Sequence, residues 1–448
     1  MSKKVHIILT STIATSLMLA GCGNTTDQTV ITDGAGSQTK PGEKVTIVFW
    51  DENAGPQRTP FYEELIKQFE EANLTIDVEY VGMPNKSAKQ KYDAAIAAED
   101  LPDVGGVQTT WLADFTIRGA LLPMDPYFDQ WSEKDKLNKQ AIQSNRDVVQ
   151  DKKLYQIPNT TNLDNLWYRA DWYKEAGVTP PVTWDDFFAG IEKMTDKSKN
   201  RYGFSIRGGK GGSFQLQRLM YAYSGITDYF DASGKSTIND PKHVEFMKKY
   251  LGLYKTYTPE SDITNGYKEM VAGFDTGAVA MIQHNIGSYG EHSKSLKPEQ
   301  YAALAFPKSL NGNYVVEGFN TNGYSIFKTT KHPDEAWKFI SFLASAPSQS
   351  YWNKQIGQLP THEDAINEDW FKNAQHIQEA VKVLNDPNTL YYYPSVYTPD
   401  YRSILDQVVD PGLQAVMSGK NTVEEFLNEW AAAMEKSKKQ YEQHINKK

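Results

Sequence analysis

The stretch VTIVFWDENAGPQRTPFYEELIKQFEEANLTIDVEYVGMPNKSAKQKYDAAIAAEDLPDVGGVQ, residues 45–108, decides the fold class. Val45 to Trp50 is a β-rich run that ends at Asp51-Glu52-Asn53-Ala54-Gly55. Thr59 then offers a helix cap with Pro60 at the first helical position, and Phe61, Leu65 and Phe69 recur every four residues. Ile76 to Val81 alternates apolar residues with Asp77 and Glu79, as a half-buried strand does. A helical pattern over Ser87 to Ala98 leads to a third strand, Pro102 to Val107. Strand, helix, strand, helix, strand implies right-handed βαβ units on a parallel sheet, so the fold class is α/β. Ligands of open α/β sheets sit outside the carboxyl ends of the strands. Two segments fall there, Trp50-Asp51-Glu52-Asn53 and Gln108-Thr109-Thr110-Trp111, each pairing an aromatic ring with hydrogen-bonding groups.

A second α/β unit starts near Tyr155. It contains a strand over Leu163 to Tyr168, a helix over Trp184 to Met194 capped by Thr183, and a strand over Tyr202 to Ile206 running into RGGKGG. That glycine cluster lacks the spacing and the Ser or Thr of a phosphate loop and reads as a flexible surface loop. Helical patterns follow at Phe214 to Tyr223 and His243 to Tyr257, then strands at Ala278 to Ile282 and Gly323 to Phe327. Helices over Pro333 to Leu343 and Val423 to Tyr441 complete the chain. A body of about 400 residues exceeds one hydrophobic core and predicts two lobes.

Upstream, Lys3 and Lys4 precede an apolar run from Val5 to Ala20 that closes on Leu19-Ala20-Gly21-Cys22, and Cys22 is the only cysteine of the 448 residues. The run is short for a membrane span and has the regions of a secretory signal. Its end resembles the lipobox of bacterial lipoproteins, in which the signal is cut before a cysteine that is then lipidated. The expectation is a signal peptide over 1–21, a lipidated Cys22 with a flexible tether over 22–44, and residence on the extracytoplasmic face of the bacterial cell membrane. The net charge of −9 is dispersed, which argues against a nucleic-acid partner. The 26 Tyr and 10 Trp exceed what cores need, so some rings are expected at a binding surface. The eight His are scattered, with no metal-ligand spacing, and nothing implies a cofactor.

The lipobox, VTIVFW, LPDV (101–104), LYQIP (154–158), LWYRADWYKEAG (166–177), PVTWDDF (181–187), HPDEAWKFISFL (332–343) and GQLPT (357–361) occur in one order. Together they resemble the extracellular solute-binding proteins of sugar ABC importers, the class of the maltose and multiple-sugar binders. The resemblance implies a two-lobed periplasmic-binding-protein-like fold with an interlobe ligand cleft and closure about three crossovers. These would lie near Tyr155 to Pro158, Ala305 to Glu317 and Leu359 to Thr361. One lobe would comprise 45–155 and 306–360, the other 156–305 and 361–448. It implies no catalysis, a carbohydrate ligand, the permease subunits of an importer as partner, and a monomer.

By the same resemblance Asp51 and Asn53 lie where the first-strand loop meets sugar, Trp111 and Asp114 where the third-strand loop does, and Asn162 on entry to the second lobe. Where relatives often have a Trp after the strand AVAMI, this chain has His284-Asn285-Ile286-Gly287, and His284 is equally a ligand contact or a structural group. Glu317 and Asn320 border the second crossover, and Tyr397 or Tyr401 would supply an aromatic platform. A sugar, with hydroxyls that both donate and accept and with apolar C–H faces, suits such a set. The competing readings are a cell-surface glycoside hydrolase using two carboxylates, and the same fold with a peptide or polyol ligand. The 56 acidic residues make some close carboxylate pair inevitable, and no HExxH, GxSxG or Cys-His arrangement is present.

Overall fold

The computed structural model describes residues 44–318 and 321–445; Cys22, the apolar run before it, the tether up to Glu43, and Asn320 lie outside these residues. Eleven strands occur among the described residues: β1 (Val45–Asp51), β2 (Ile76–Gly82), β3 (Val104–Gln108), β4 (Ile157–Thr161), β5 (Asp164–Tyr168), β6 (Met281–Asn285), β7 (Ala302–Leu304), β8 (Val315–Glu317), β9 (Thr321–Ile326), β10 (Leu359–Pro360) and β11 (Leu390–Tyr392). β1 lies between β2 and β3 and is parallel to both, as the opening stretch predicts. The sheet then continues antiparallel through β9, β4 and β10, giving the order β10-β4-β9-β3-β1-β2. The other two sheets are β6-β5-β7, with β5 antiparallel to both neighbours, and the parallel pair β11-β8.

Alternation along β1 buries Val45, Ile47 and Phe49. Phe49 meets Tyr62 and Phe339 edge to face at 5.1 and 5.4 Å, an arrangement that adds quadrupole attraction to the burial of the rings. The Thr59–Ala72 helix buries Tyr62, Leu65, Ile66 and Phe69, the i, i+3, i+4, i+7 stripe, whereas Phe61 sits at its edge. A strict four-residue repeat drifts around a helix of 3.6 residues per turn, which is why Phe61 falls off the face. Thr59 does not cap this helix: its Oγ accepts from the Gly55 amide at 3.1 Å and lies 3.1 Å from the Tyr80 hydroxyl. Thr183 does cap the Trp184–Met194 helix, in a reciprocal capping box with Asp186. Behind that cap, Trp184 and Phe187 pack edge to face on Phe246 and Phe204.

Two expected strands differ. The segment 202–206 touches its neighbour only through single bridges, Tyr202 to Val279 and Ser205 to Ile282. Gly203 passes so close to the Ile191 carbonyl that a Cβ there would lie 1.9 Å from it, and no regular strand of larger residues fits that gap. The AVAMI strand is shifted to Met281–Asn285, so that Gln283, His284 and Asn285 form its end. β4 hydrogen-bonds into the six-stranded sheet, which therefore extends past residue 155 to Thr161. The chain leaves that sheet through Asn162 and Leu163 into β5, and returns to it between Glu317 and Thr321. No helix among the described residues is long and apolar enough to cross a membrane.

Candidate functional site

At the carboxyl end of β1 the chain turns through Asp51-Glu52-Asn53. Asp51 is 1% exposed; its Oδ1 accepts from the Asn53 amide at 2.9 Å and its Oδ2 from the Tyr80 hydroxyl at 2.7 Å. Burial raises its carboxyl above the usual range, and those two donors partly offset the rise. Glu52, also buried, packs over β3: a Cβ on Gly106 would lie 1.9 Å from its Oε2. Burial, and then the charge of Asp51, push the Glu52 carboxyl up to about 7, with the Arg58 guanidinium opposing both. Arg58 covers Trp352 at 4.9 Å, and its Nε is buried without a hydrogen-bond partner.

From the other half, β6 ends in Gln283-His284-Asn285. His284 is fully buried, neither ring nitrogen has a partner, and its ring stands edge-on to Tyr267 at 4.2 Å. Burial, reinforced by Arg207, holds the imidazole well below its ordinary pKa, so it is neutral, one nitrogen a donor and the other an acceptor. Burial, and then the charge of Glu291, raise the Tyr267 hydroxyl, and Arg58 and Arg207 oppose that rise. The two halves also touch directly: Lys294 Nζ donates to Gln57 Oε1, and the Thr109–Ile117 helix contacts the short Tyr401–Ile404 helix.

RGGKGG is not a loose surface loop. Gly208, Gly209, Gly211 and Gly212 are buried, and the segment opens the Gly212–Ser224 helix. The amides of Gly211 and Ser213 each donate at 2.8 Å to the buried carboxylate of Asp410, so the donors a phosphate would use are occupied. Ser213 Oγ and Gln215 Oε1 on this helix, and Gln283 Oε1 beside them, are buried and unpartnered, as are Thr110 Oγ1 and Trp111 Nε1 on the helix that follows β3.

The remaining expected residues separate into different environments. Asn162 Oδ1 accepts from Gln358 Nε2, which ties the first crossover to the residue before β10. Trp111 is 2% exposed and packs on Tyr92 and Phe115, both rings at 6.0 Å. Asp114 points into an ion cluster, 2.6 Å from Lys89 and 3.5 Å from Arg118, with Asp93 bridging the same cations. Glu317 pairs with Arg218, and burial raises its carboxyl despite that partner. Tyr397 packs on Tyr441 of the last helix at 5.3 Å. Tyr401 is fully buried with its hydroxyl on Gln217, a packing position. Sequence reasoning passed over Glu52, Arg58, Arg207, Ser213, Gln215 and Tyr267. Glu52 stood between two chosen residues, and Arg207 opened a glycine cluster whose capping acid is some two hundred residues away.

Residues 54–350 match the family described as bacterial extracellular solute-binding protein. A putative binding protein of Brucella abortus is 24% identical over 399 residues, 87% of this chain and 91% of its own. The multiple sugar-binding protein of Streptococcus mutans is 24% identical over 368 residues, 79% of this chain and 81% of its own. Among solved structures, an ABC transporter solute-binding protein from Thermotoga lettingae bound with alpha-D-tagatose superposes with a TM-score of 0.76 at 21% identity, over 88% of this chain and all of that one. That likeness gives the fold: two-lobed α/β, of the periplasmic sugar-binding kind.

Proposed function

This chain belongs to the bacterial extracellular solute-binding protein family, and from that premise we propose that it is a receptor that captures a sugar between its two halves and hands it to the permease of an ABC importer. One observation carries the ligand class. The buried side-chain atoms without partners around the strand ends are a mixed set: donors at Arg58 Nε and Trp111 Nε1, acceptors at Gln215 Oε1 and Gln283 Oε1, and groups that do both at Thr110, Ser213 and His284. Buried polar groups without partners are costly, and hydroxyls that each donate and accept would satisfy such a mixture. A carboxylate or phosphate ligand would serve the donors alone. The names of the Streptococcus relative and the Thermotoga complex support the same class.

In this reading the ligand is an oligosaccharide, 45–161 with 321–360 and 164–317 with 361–448 close on it, and Cys22 carries the lipid that holds the receptor at the cell surface. A ligand that binds only the folded chain raises its melting temperature by mass action. A panel of mono-, di- and oligosaccharides, polyols and short peptides, read by melting temperature and by product analysis, tests it. A rise with one sugar class and no product is the expected result. Turnover of a glycoside, or a response to peptides alone, overturns it.

A further inference from the structure

Six of the ten Trp are buried, and of the other four, two stand together at the surface, Trp131 and Trp337. Trp337 lies on the Pro333–Ala344 helix between Ala336 and Phe339, the buried residues that seat that helix on the core. Trp131 lies three residues after Phe128, the buried residue of the short Asp125–Phe128 helix. Tyr127 of that short helix is nearly parallel to Trp337, 5.6 Å away at 23°, and Trp131 stands at 90° to Trp337 at 6.1 Å. The three rings thus make a corner, two nearly parallel and one upright. With Pro126, Gln130 and Ser132 they line an open cleft of about 480 Å³, within the roughly 300–1,000 Å³ usual for small-ligand sites. The Tyr127 hydroxyl donates to Asp334 Oδ1 at 2.7 Å and Gln130 Nε2 to the Pro126 carbonyl at 3.0 Å, which fixes a ring and an amide on the rim.

The corner is at the opposite end of the six-stranded sheet from the strand ends that carry the candidate site. The segment leading into it joins the far end of β9: the Leu122 amide donates to the Ile326 carbonyl at 2.9 Å, and Ile326 pairs with Val104, the first residue of β3. Asp51 and the Thr109–Ile117 helix lie at the carboxyl ends of β1 and β3, so the length of β3, about 13–17 Å, separates the two places. We propose that the corner is a second carbohydrate site, outside the cleft between the halves, that takes a neutral glycan chain. A sugar ring has an apolar C–H face, which indole and phenol faces cover, and an edge of hydroxyls that both donate and accept, which the Gln130 amide and the Ser132 hydroxyl serve. None of the six lining residues is charged, so a phosphate or carboxylate meets no cation there, and the charged group bonded to the corner, Asp334, repels both. The same lining argues against an anionic lipid surface, which clustered Lys and Arg recognise.

The test incorporates fluorinated tryptophan throughout the chain and reads fluorine NMR, with the signals assigned from Trp111→Phe, Trp131→Phe and Trp337→Phe. The best sugar of the panel above is added until the Trp111 signal stops moving, and each probe follows. The probes are starch, mixed-linkage β-glucan, xylan and mannan, their short oligosaccharides, a proline-rich peptide, choline and phosphatidylglycerol vesicles. At least one neutral glycan is expected to shift the Trp131 and Trp337 signals while that of Trp111 stays, and Trp131→Ala to weaken this binding roughly tenfold. Native gels cast with the polymer separate the two sources of glycan: retardation that Trp131→Ala loses means that the polymer itself is held, and shifts with oligosaccharides alone mean that the corner takes free sugars. If Trp131→Ala does not fold, Gln130→Ala, a change to an exposed side chain, is expected to weaken binding in the same direction by less. Signals that no glycan moves, or that move only with peptide, choline or vesicles, overturn the inference. If no sugar of the panel moves Trp111, the receptor reading fails, and the Trp131 and Trp337 signals still decide this one.

Discussion

Glu52 and Gly106 form a matched pair: the carboxylate occupies the volume a side chain on Gly106 would fill. Gly106→Ala therefore drives Glu52 out of its seat and, with it, the turn that carries Asp51 and Asn53. In the receptor reading, affinity for the best sugar falls at least about tenfold, some 1.4 kcal/mol, by titration calorimetry; unchanged affinity would remove this turn from the site. Glu52 also sets a pH dependence. Its carboxyl is raised in the folded chain from 4.5 to about 7, so the folded state prefers the protonated form. Stability from this group is full below pH 4.5 and is lost as pH rises through 7, because over that window the native state holds a proton that the unfolded chain has released. Glu52→Gln cannot ionise, so its melting temperature relative to wild type should climb between pH 5 and pH 8. A constant difference across that range would mean that Glu52 titrates normally.

Helices with local cap chemistry were legible in the sequence, and the Trp184–Met194 helix has the limits read from Thr183 and its apolar stripe. The strand AVAMI was misplaced by three residues because a continuous apolar run does not reveal its register, and its polar end looks like loop until the buried partners from other segments are known. The same limit hid the Gly212–Ser224 helix start, whose cap, Asp410, is distant in sequence. The turn after β1 was legible from the rule about strand ends, whereas Arg207, Tyr267 and Gln215 come together only through tertiary packing. Two substitutions separate local from distant capping. Thr183→Ala loses one ordinary cap, about 1 kcal/mol in urea unfolding, and leaves sugar affinity unchanged. Asp410→Ala removes a buried carboxylate that accepts two amides, costs about 2–3 kcal/mol, and weakens sugar binding because Ser213 and Gln215 ride on the freed turn. Equal effects of the two on affinity would show that the helix start does not reach the ligand.

At the scale of the whole molecule, contacts between the halves should govern how long a ligand stays. Gln140, on the Lys139–Asp147 helix packed against β4, donates from Nε2 to the Tyr393 hydroxyl at 3.0 Å. Tyr393 follows β11, and its ring lies over Gly318, where a Cβ would come within 2.1 Å of it, at the start of the second crossover. The ring thus reaches across the crossover from one half to the other, and its hydroxyl accepts from Gln140 there. An exposed hydrogen bond of this kind is worth about 0.5–1 kcal/mol. In the receptor reading this bond holds the closed halves together over a captured ligand, so its loss acts on release more than on capture. Tyr393→Phe should therefore raise the sugar dissociation rate roughly two- to fivefold, the same energy expressed as a rate. The association rate and the melting temperature of the ligand-free chain should stay near wild type, and Gln140→Ala should reproduce the effect without adding to it in the double variant. Stopped-flow fluorescence on the four proteins measures this cycle. Additive effects would mean that Tyr393 and Gln140 act separately, and an unchanged dissociation rate would mean that this contact does not retain the ligand.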